Sequence, residues 1–354
     1  MGIGDRVVEG VLQVVGATRA DEGVLPAEPV FPPHVGSRRW AWTHYGVMVP
    51  DLPDPHRFLA CMAIVGTTGS RTFDTDHARV DGPRHSASLV TGTAVTAPDA
   101  AYRQYSTRYD CHLAADGSRV RLGDDLEITG SGRRRHARGR RAGLAYDLDL
   151  ELTDAATWFA RGPVWEHLSV LTRYAGTITA AGRTEDVAGT GTFEWARSAG
   201  VHAVLPWALP ARLKAPADTF AYCVIDLDPD TQLLLSGFGI AGRPVLDAAY
   251  VRSTRGAPER HVRGVRLTVE ERGPEVTTPD GRRTRPPRVL HWTSADGRLD
   301  VVVTVDTPLL YGLGSGHVGG VAHTGTLDGR AIAGQGYLEI IDRRDRPAGS
   351  PATR

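Results

Sequence analysis

Apolar and polar residues alternate along much of this chain with a period of two. In LAYDLDLEL, from Leu144 to Leu152, every second side chain is leucine or tyrosine, and those between are alanine or acidic. Such alternation is typical of an antiparallel strand with one buried face. The period recurs in VRLTVE (265–270) and LDVVVTVD (299–306). The pattern therefore predicts an antiparallel β protein.

Further apolar runs predict more strands with turns between them. The segments at 58–66, 86–95, 221–227 and 231–240 are of this kind, and Asp-Pro-Asp at 228–230 predicts a hairpin turn. Helical spacing of valine and leucine occurs at residues 4–16, which predicts one short helix. Many short strands favour a sandwich or barrel, and 354 residues are enough for two barrels in tandem.

One short sequence occurs twice. VAGTGTFEWAR (187–197) and AIAGQGYLEII (331–341) both lead from small residues into an aromatic and an acidic residue. Each follows a compact stretch that predicts a hairpin, at 174–187 and 322–332. Two units of one architecture are the simplest explanation, and tandem units often hold a site between them.

These patterns predict four regions. A helix and an extended proline-rich arm occupy 1–30, because a residue that precedes proline is disfavoured in helices. A first barrel is expected at 31–198, a second at 199–345, and a disordered tail at 346–354. The least patterned stretch, 197–220, contains three prolines and is the expected connection.

Composition limits the classes of partner. Lys+Arg 41 equals Asp+Glu 41, so no overall charge attracts nucleic acid or an acidic membrane. Cys61, Cys111 and Cys223 lack the spacing of a zinc site or a disulfide framework and are expected to be buried thiols. Without a signal peptide or an 18-residue apolar run, we expect a cytoplasmic protein with no stable membrane insertion, as a monomer or homodimer.

Three stretches carry a resemblance to a known family. GTITAAGRTEDVAGTGTFEWAR (176–197), FAYCVIDLDPDTQLLLSGFGI (220–240) and GTLDGRAIAGQGYLEI (325–340) resemble the lipocalin-like superfamily of carotenoid hydratases, tocopherol cyclases and natural-product Diels–Alderases. The resemblance implies an all-β fold of two tandem lipocalin-like antiparallel β-barrels. WAWTHYG (40–46) lies where better-known members have Glu-Trp-Trp-Tyr, so the chain looks like a separate bacterial branch.

The resemblance also implies a chemistry. Enzymes of this superfamily hold a hydrophobic polyene in an apolar cavity, without metal or organic cofactor. They donate a proton to the substrate or hold it in a reactive conformation. We therefore expect hydration, cyclisation or isomerisation of a terpenoid or polyketide-like molecule; the alternative is a carrier for a lipid or pigment without chemistry. Proton donation to an alkene needs a carboxyl with a raised pKa, which an apolar pocket supplies.

The first candidate acid lies in FDTDH (73–77). Asp76 is the expected proton donor, and His77 would manage its proton. Two aspartates and a histidine also suit a metal, but no second cluster supports one. The competing interpretation is a polar loop with Asx turns between strands.

The second acid is Glu194 in FEWAR, and the adjacent Trp195 is expected to shape the substrate pocket. A buried Glu194 donates a proton, or it pairs with Arg197 as a structural link, which is the favoured interpretation because an unpaired buried carboxylate is costly. Glu339 in GYLEI has the same two interpretations.

Aromatic runs supply candidate substrate-binding residues. Alternation in WAWTHYG places Trp42 and His44 on one face and Tyr45 on the other, as pocket wall or as core. Trp165, with Glu166 and His167, forms another aromatic patch that lines a cavity mouth or packs in the core.

Two further segments are candidates for binding. GLGSGHVGG (312–320) lacks the residues of a phosphate loop and is expected to be a flexible rim from which His317 overhangs the cavity. GRRRHARGRR (132–141) suits a phosphate or RNA, but a solvated hairpin tip is the favoured interpretation because no aromatic residues interleave the arginines.

Overall fold

Two large antiparallel sheets and a small ribbon make up the fold in the computed structural model. The first sheet contains eleven strands and the second contains ten. Each curls around its own apolar core, so the expected all-β fold of two tandem barrels is confirmed. The helix expected at 4–16 and the tail at 346–354 lie outside the described residues. The structure describes residues 25–215, 217–240, 242–255, 260–314 and 316–344.

The strands are numbered in chain order, and five short 3-10 helices lie between some of them. These helices are Asp76–Ala78, Pro83–His85, Pro98–Ala100, Val201–Ala203 and Ala211–Leu213. The strands are β1 (Trp40–Leu52), β2 (Arg57–Gly66), β3 (Ser86–Gly92), β4 (Tyr102–Ser106), β5 (Cys111–Leu113), β6 (Arg119–Leu122), β7 (Leu126–Ser131), β8 (Arg134–Arg141), β9 (Leu144–Arg161), β10 (Trp165–Ala180), β11 (Arg183–Ala199), β12 (Ala217–Asp228), β13 (Thr231–Ile240), β14 (Arg243–Ser253), β15 (Arg260–Val262), β16 (Val265–Arg272), β17 (Val276–Thr277), β18 (Arg283–Thr284), β19 (Pro287–Ser294), β20 (Leu299–Val305), β21 (Leu310–Leu313), β22 (Gly316–Leu327) and β23 (Arg330–Asp342).

Both sheets are built on the same plan. The first runs β4-β3-β2-β1-β11-β10-β9-β8-β7-β6-β5, and the second runs β15-β14-β13-β12-β23-β22-β20-β19-β16, with β21 paired to β22. In each, the first strand of the unit pairs with its last, β1 with β11 and β12 with β23. The repeated sequence lies on β11 and β23, so it marks equivalent strands in the two units.

The hairpins before these strands are also equivalent. Ala181-Gly182 joins β10 to β11 with φ of 50° and 78°, and Asp328-Gly329 joins β22 to β23 with φ of 51° and 74°. Two-residue loops with positive φ at both positions match the twist of paired strands. The hairpins expected at 174–187 and 322–332 are therefore confirmed.

One glycine in each hairpin is fixed by close approach of the backbone. A Cβ on Gly176 would meet the Asp147 carbonyl oxygen at 2.0 Å, and one on Gly325 would meet the Asp300 carbonyl oxygen at 2.0 Å. No side chain fits at either position without moving a strand. The two units thus share a close-packing constraint as well as their topology.

The two barrels pack through the outer faces of their central strands. Met48, Phe58 and Met62 from the first sheet pack in one cluster with Val224 and Leu234 from the second. The inner faces of the barrels hold separate apolar clusters. Burial against both an inner core and a partner sheet explains why β1, β2, β12 and β13 are apolar on both faces.

A buried polar network crosses this interface. The guanidinium of Arg252, on β14, donates to the Ser169 backbone carbonyl at 2.7 Å and to the Thr192 hydroxyl at 3.1 Å, both in the first barrel. It also donates to the Gln232 side-chain oxygen on β13. Because each hydrogen bond holds one strand relative to another, the network fixes how the barrels dock.

The proline-rich arm seals the first barrel. Phe31 is buried in its core, and the Phe31 carbonyl accepts a 2.6 Å hydrogen bond from the Tyr45 hydroxyl. The Trp195 indole donates to the Pro32 carbonyl at 3.3 Å. Leu25 of the expected arm and the residues just after the arm therefore complete the core of the first barrel.

Two segments differ from their expectations. Most of 132–141 is strand β8, whose charges face the acids of β9: the Arg138 guanidinium pairs with Asp147 at 3.1 Å, and Arg135 is buried against Phe31. The expected solvated hairpin tip is therefore wrong for 134–141, which is a paired strand of the sheet. The prediction of a flexible rim at 312–320 is also wrong for the residues of this stretch that belong to the paired strands β21 and β22.

Candidate functional site

A buried carboxylate lies between two histidines on the interface side of the first barrel. Glu194, on β11, is 1% exposed. Its Oε2 is 3.1 Å from Nε2 of His167 on β10 and 3.5 Å from Nε2 of His44 on β1. Burial alone would raise the pKa of Glu194, but the charge of His167 and the hydrogen bonds from both histidines lower it below its usual value. Burial also lowers the pKa of His44.

A glycine makes room for this arrangement. Gly46 is the β1 partner of Glu194 in the sheet register. A Cβ at Gly46 would lie 3.0 Å from Nε2 of His44 and 2.8 Å from the Met48 sulfur. Its missing side chain leaves the space through which the His44 ring reaches the carboxylate.

Two buried polar atoms at this site make no hydrogen bond of ordinary geometry with the described residues. Glu194 Oε1 accepts no hydrogen bond of ordinary geometry, and the Trp42 indole nitrogen donates none. Buried polar groups in folded proteins nearly always have hydrogen-bond partners, so two neighbouring exceptions point to a function. An acceptor and a donor are thus available to a small molecule that enters.

Aromatic rings surround the histidines. Ring centroids lie 5.0 Å apart for Phe159 and His167, 6.1 Å for Trp165 and His167, and 6.4 Å for Trp42 and His44. Phe73, from the loop after β2, packs 5.8 Å from Trp42. The carboxylate therefore lies in an apolar, low-dielectric setting that strengthens its electrostatic interactions.

A second buried carboxyl lies on the equivalent strand of the other barrel. Glu339, on β23, is 2% exposed, and the Tyr337 hydroxyl donates to its Oε1 at 3.0 Å. Burial raises the pKa of Glu339 well above its ordinary 4.5, and the negative charge of Glu194 raises it further. The pKa of Glu339 is thus shifted toward the neutral acid, whereas that of Glu194 is shifted toward the carboxylate.

A pair of hydrogen-bonded hydroxyls crosses the interface next to the carboxyls in the strand register. Ser169 pairs with Glu194 in the register of β10 and β11, and Tyr222 pairs with Glu339 in the register of β12 and β23. The Ser169 and Tyr222 oxygens lie 3.1 Å apart across the interface. Because register partners lie side by side on one face, both carboxyls face the same interface. A carboxylate and a neutral carboxylic acid in one site form an acid–base pair.

An open cavity of about 1360 Å³ lies beside this pair, at one end of the second barrel. Its wall includes Phe220 and Ile341, which are register partners on β12 and β23. Tyr222 and Glu339 are the next pair on the same face, about 7 Å further along the strands. Phe238 also lines the cavity and packs 5.9 Å from Trp165.

The structure brings together four of the residues singled out from the sequence. Glu194, His44, Trp42 and Trp165 form one cluster, and Trp42 and His44 share a face as alternation predicted. Tyr45 and Trp195 instead lie in the core of the first barrel, on the opposite faces of their strands. They contribute nothing to this pocket, which corrects the expectation that they shape it.

Asp76 and His77 lie elsewhere. They begin a 3-10 helix, and both are exposed; the Asp76 carboxylate pairs with Lys214 at 2.6 Å and with Arg79 at 3.1 Å. The role of Asp76 as the proton donor therefore stays a prediction. Asp74 is the buried member of this loop and accepts hydrogen bonds from the backbone amides of Thr68 and Gly69.

His317 does not overhang a flexible rim. It is a buried residue of β22, with its ring 5.4 Å from that of Tyr311, and burial lowers its pKa to about 4. It was expected to bind substrate because the glycines around it suggested a loop. The pairing of this glycine-rich segment as a hairpin removes that reason.

Sequence reasoning missed Tyr222 and Ser169 and did not commit to Glu339 and His167. The signal for Glu339 was the repeat, which places it on the strand equivalent to that of Glu194. In the described part of the chain, no group of three or more His, Cys, Asp or Glu side chains is placed to hold a metal ion. No helix there is both long and apolar enough to cross a membrane.

Comparison with known proteins gives a family and a fold. A model for a family of unknown function, DUF6670, matches residues 62–352. No curated protein sequence matches the chain. The structure of kievitone hydratase from Nectria haematococca aligns with a TM-score of 0.56 and 11% identity, over 90% of this chain and 97% of that one. CghA with Sch210972 aligns with a TM-score of 0.47 and 10% identity, over 91% and 97%. At 11% identity the likeness to kievitone hydratase concerns the fold alone, and it agrees with the two-barrel architecture.

Proposed function

We propose that this chain, which belongs to the DUF6670 family of unknown function, is an enzyme that transfers protons to and from a hydrophobic small molecule held between its two barrels. One observation carries the proposal: two buried carboxyls, Glu194 and Glu339, have pKa values shifted in opposite directions. Opposed shifts in one site divide the roles of base and acid. The apolar walls of the site select an apolar substrate.

The arrangement is unfavourable for stability, which argues for a role in chemistry. Two acidic groups buried near each other raise each other's free energy, and Glu194 Oε1 accepts no hydrogen bond of ordinary geometry from the described residues. A packed apolar interface would stabilise the barrels more. Local violations of this kind are concentrated at functional sites.

Addition of water to a carbon–carbon double bond uses both groups. The Glu339 carboxylic acid donates its proton to one carbon as the π bond breaks. Water bonds to the other carbon, and the proton that it releases passes to the Glu194 carboxylate and its histidines. Transfer of that proton through the Ser169 and Tyr222 hydroxyls, 3.1 Å apart, would restore both carboxyls.

Isomerisation or cyclisation uses the same groups without adding water. Glu194 removes a proton from one carbon and Glu339 donates one to another, and the surrounding aromatic faces stabilise a developing positive charge. Kievitone hydratase, whose fold this chain shares, is named for a hydration. Hydration is therefore the first reaction to test on terpenoid or polyketide-like alkenes.

The runner-up is a carrier without chemistry. The favouring observation is that the cavity is lined by Phe220, Phe238 and Ile341 but by neither carboxyl. A carrier needs an apolar cavity and no buried acid, however, and Glu194 is 1% exposed. The burial of this acid therefore favours the enzyme.

The test is mass spectrometry of products formed in ¹⁸O-labelled water from a panel of linear and cyclic isoprenoids and polyenes. The expected result is a product with one labelled oxygen for hydration, or an isomer of unchanged mass. Glu194→Gln and Glu339→Gln should abolish it. Glu151→Gln, on an exposed position of β9, serves as the control that keeps turnover. Asp76→Asn tests the alternative acid and should also keep it.

Two outcomes would contradict the proposal. Loss of turnover in Asp76→Asn with full activity in Glu339→Gln would assign the role of the acid to Asp76, in the loop after β2. Tight binding of a panel member that is recovered unaltered, with equal affinity in both glutamate variants, would favour the carrier.

A further inference from the structure

The cavity at the end of the second barrel is strongly cationic in a chain without net charge. Among its described lining residues, seven are arginines and three are acids. The arginines are Arg243, Arg266, Arg272, Arg282, Arg283, Arg285 and Arg344. Clustered positive charge along a concave wall focuses an electrostatic field and draws in anions.

Some of this charge is already neutralised. Arg272 and Arg344 both pair with Asp342, and Arg283 pairs with Glu275. Arg282 pairs with Asp280 at 3.1 Å, just outside the cavity lining. These four arginines therefore serve in part to hold the wall together.

Three arginines of the lining have no carboxylate partner within ion-pair distance in the described structure. Arg243, at the start of β14, and Arg266, on β16, make no side-chain hydrogen bond there, and Arg285 donates only to the Gly273 carbonyl at 3.0 Å. Arg266 lies near enough to Asp247 to oppose the burial that raises the pKa of that carboxyl. Their guanidinium groups remain available to an anion.

The apolar part of the same cavity leads toward the acid–base pair. Phe220, Leu246 and Phe238 line the cavity and also pack in or against the cluster between the barrels. Tyr222 and Glu339 are the next register pair beyond Phe220 and Ile341 on the shared face of β12 and β23. A ligand with its charged end at the arginines would therefore lie with its apolar body directed along this wall.

We propose that the cavity binds the anionic head, a carboxylate or a phosphate, of an amphiphilic substrate through Arg243, Arg266 and Arg285, with its apolar body against Phe220 and Phe238. The guanidinium group offers planar, paired donors that suit both kinds of head. This inference rests on the proposed function, because it names the class of substrate that reaches Glu194 and Glu339.

The test measures binding, by isothermal titration calorimetry of the full chain. The probes are dodecanoate, dodecyl phosphate, the neutral dodecanol and inorganic phosphate alone. We expect both charged amphiphiles to bind about tenfold more tightly than dodecanol, with a preference that weakens in salt. Inorganic phosphate should bind far more weakly than dodecyl phosphate, because it lacks the apolar body.

Variants assign the preference to the arginines. Arg243→Ala and Arg266→Ala should each weaken dodecyl phosphate binding about threefold and together about tenfold, the range for exposed charge pairs. The double lysine variant should keep most of the affinity, and Arg140→Ala, on the exposed face of β8, should change nothing. Dodecanol binding should be equal in all variants.

Three outcomes would overturn the inference. Equal affinity for dodecanol and dodecyl phosphate would show that the cavity has no anion site. An unchanged preference for dodecyl phosphate over dodecanol in the double alanine variant would show that Arg243 and Arg266 do not form that site. If inorganic phosphate binds as tightly as dodecyl phosphate, the apolar body contributes nothing and the ligand is not an amphiphile. Glu339→Gln separates the two proposals: it should bind every probe normally, so turnover that survives in it contradicts the proposed function alone.

Discussion

Replacement of Glu339 by glutamine removes the proposed acid with little change in shape. The amide oxygen of glutamine can still accept the 3.0 Å hydrogen bond that Tyr337 donates to Glu339 Oε1. Loss of a general acid lowers the rate about 10²–10⁴-fold, which corresponds to about 3–5 kcal/mol of activation free energy. The assay is the initial rate with the best substrate of the panel, with Glu151→Gln as the matched control.

The same variant changes how stability depends on pH. The pKa of Glu339 is raised in the folded chain above the unfolded 4.5, so its contribution to stability is fully present below pH 4.5 and is lost as pH rises through the folded value. Glutamine does not ionise. At pH 4.5 the free energy of unfolding of the variant should therefore equal that of the wild type to within about 1 kcal/mol, the effect of the altered hydrogen bond. At pH 9 the variant should have the higher Tm.

Calorimetric or fluorescence melts at several pH values give this comparison directly. A variant that is less stable than the wild type at pH 9 would refute the reasoning, because it would mean that Glu339 is a favourable carboxylate in the fold. Full turnover in a folded variant would refute the assignment of the acid. Tyr337→Phe should lose about 1 kcal/mol of stability through the missing hydrogen bond.

Three further predictions concern stability. Burial raises the pKa of Asp226 from 3.8 to about 6, so Asp226→Asn should gain about 3 kcal/mol over the wild type as pH rises from below 4 to above 6, measured by urea unfolding; a constant difference would contradict this. Arg252→Met leaves buried acceptors in both barrels unpaired and should lower the free energy of unfolding by about 3 kcal/mol; an unchanged midpoint in denaturant would argue against the network. Gly325→Ala forces a Cβ against the Asp300 carbonyl and should cost about 1–3 kcal/mol, whereas Gly273→Ala, whose Cβ has 3.5 Å of room, should cost less.

Alternation predicted the faces of individual strands well. Leu144 to Leu152 bury every second residue as expected, and the Asp-Pro-Asp hairpin turn at 228–230 joins β12 to β13. Repetition predicted two equivalent units. These features depend on a local period or on a comparison within the sequence, so they need no knowledge of how the sheets dock.

The composition of the site was harder to predict. The sequence FDTDH favours Asp76 as the acid because His77 is beside it, but its cation Lys214 lies far away in sequence and is brought to it only by the fold. Trp195 is adjacent to Glu194 and therefore faces the other side of the strand, into the arm-sealed core. Glu339 and Tyr222 join the site because the barrels dock through their outer faces, and no local pattern encodes that docking.

The central claim is that one buried carboxyl is protonated and its neighbour ionised at neutral pH. Infrared difference spectroscopy of the wild type against Glu339→Gln and Glu194→Gln, at pH 7, tests it without any substrate. The account predicts that Glu339→Gln removes one protonated carboxyl band, whereas Glu194→Gln removes a carboxylate band. Loss of a carboxylate band in both variants would mean that both groups are ionised, and it would contradict the acid–base pair.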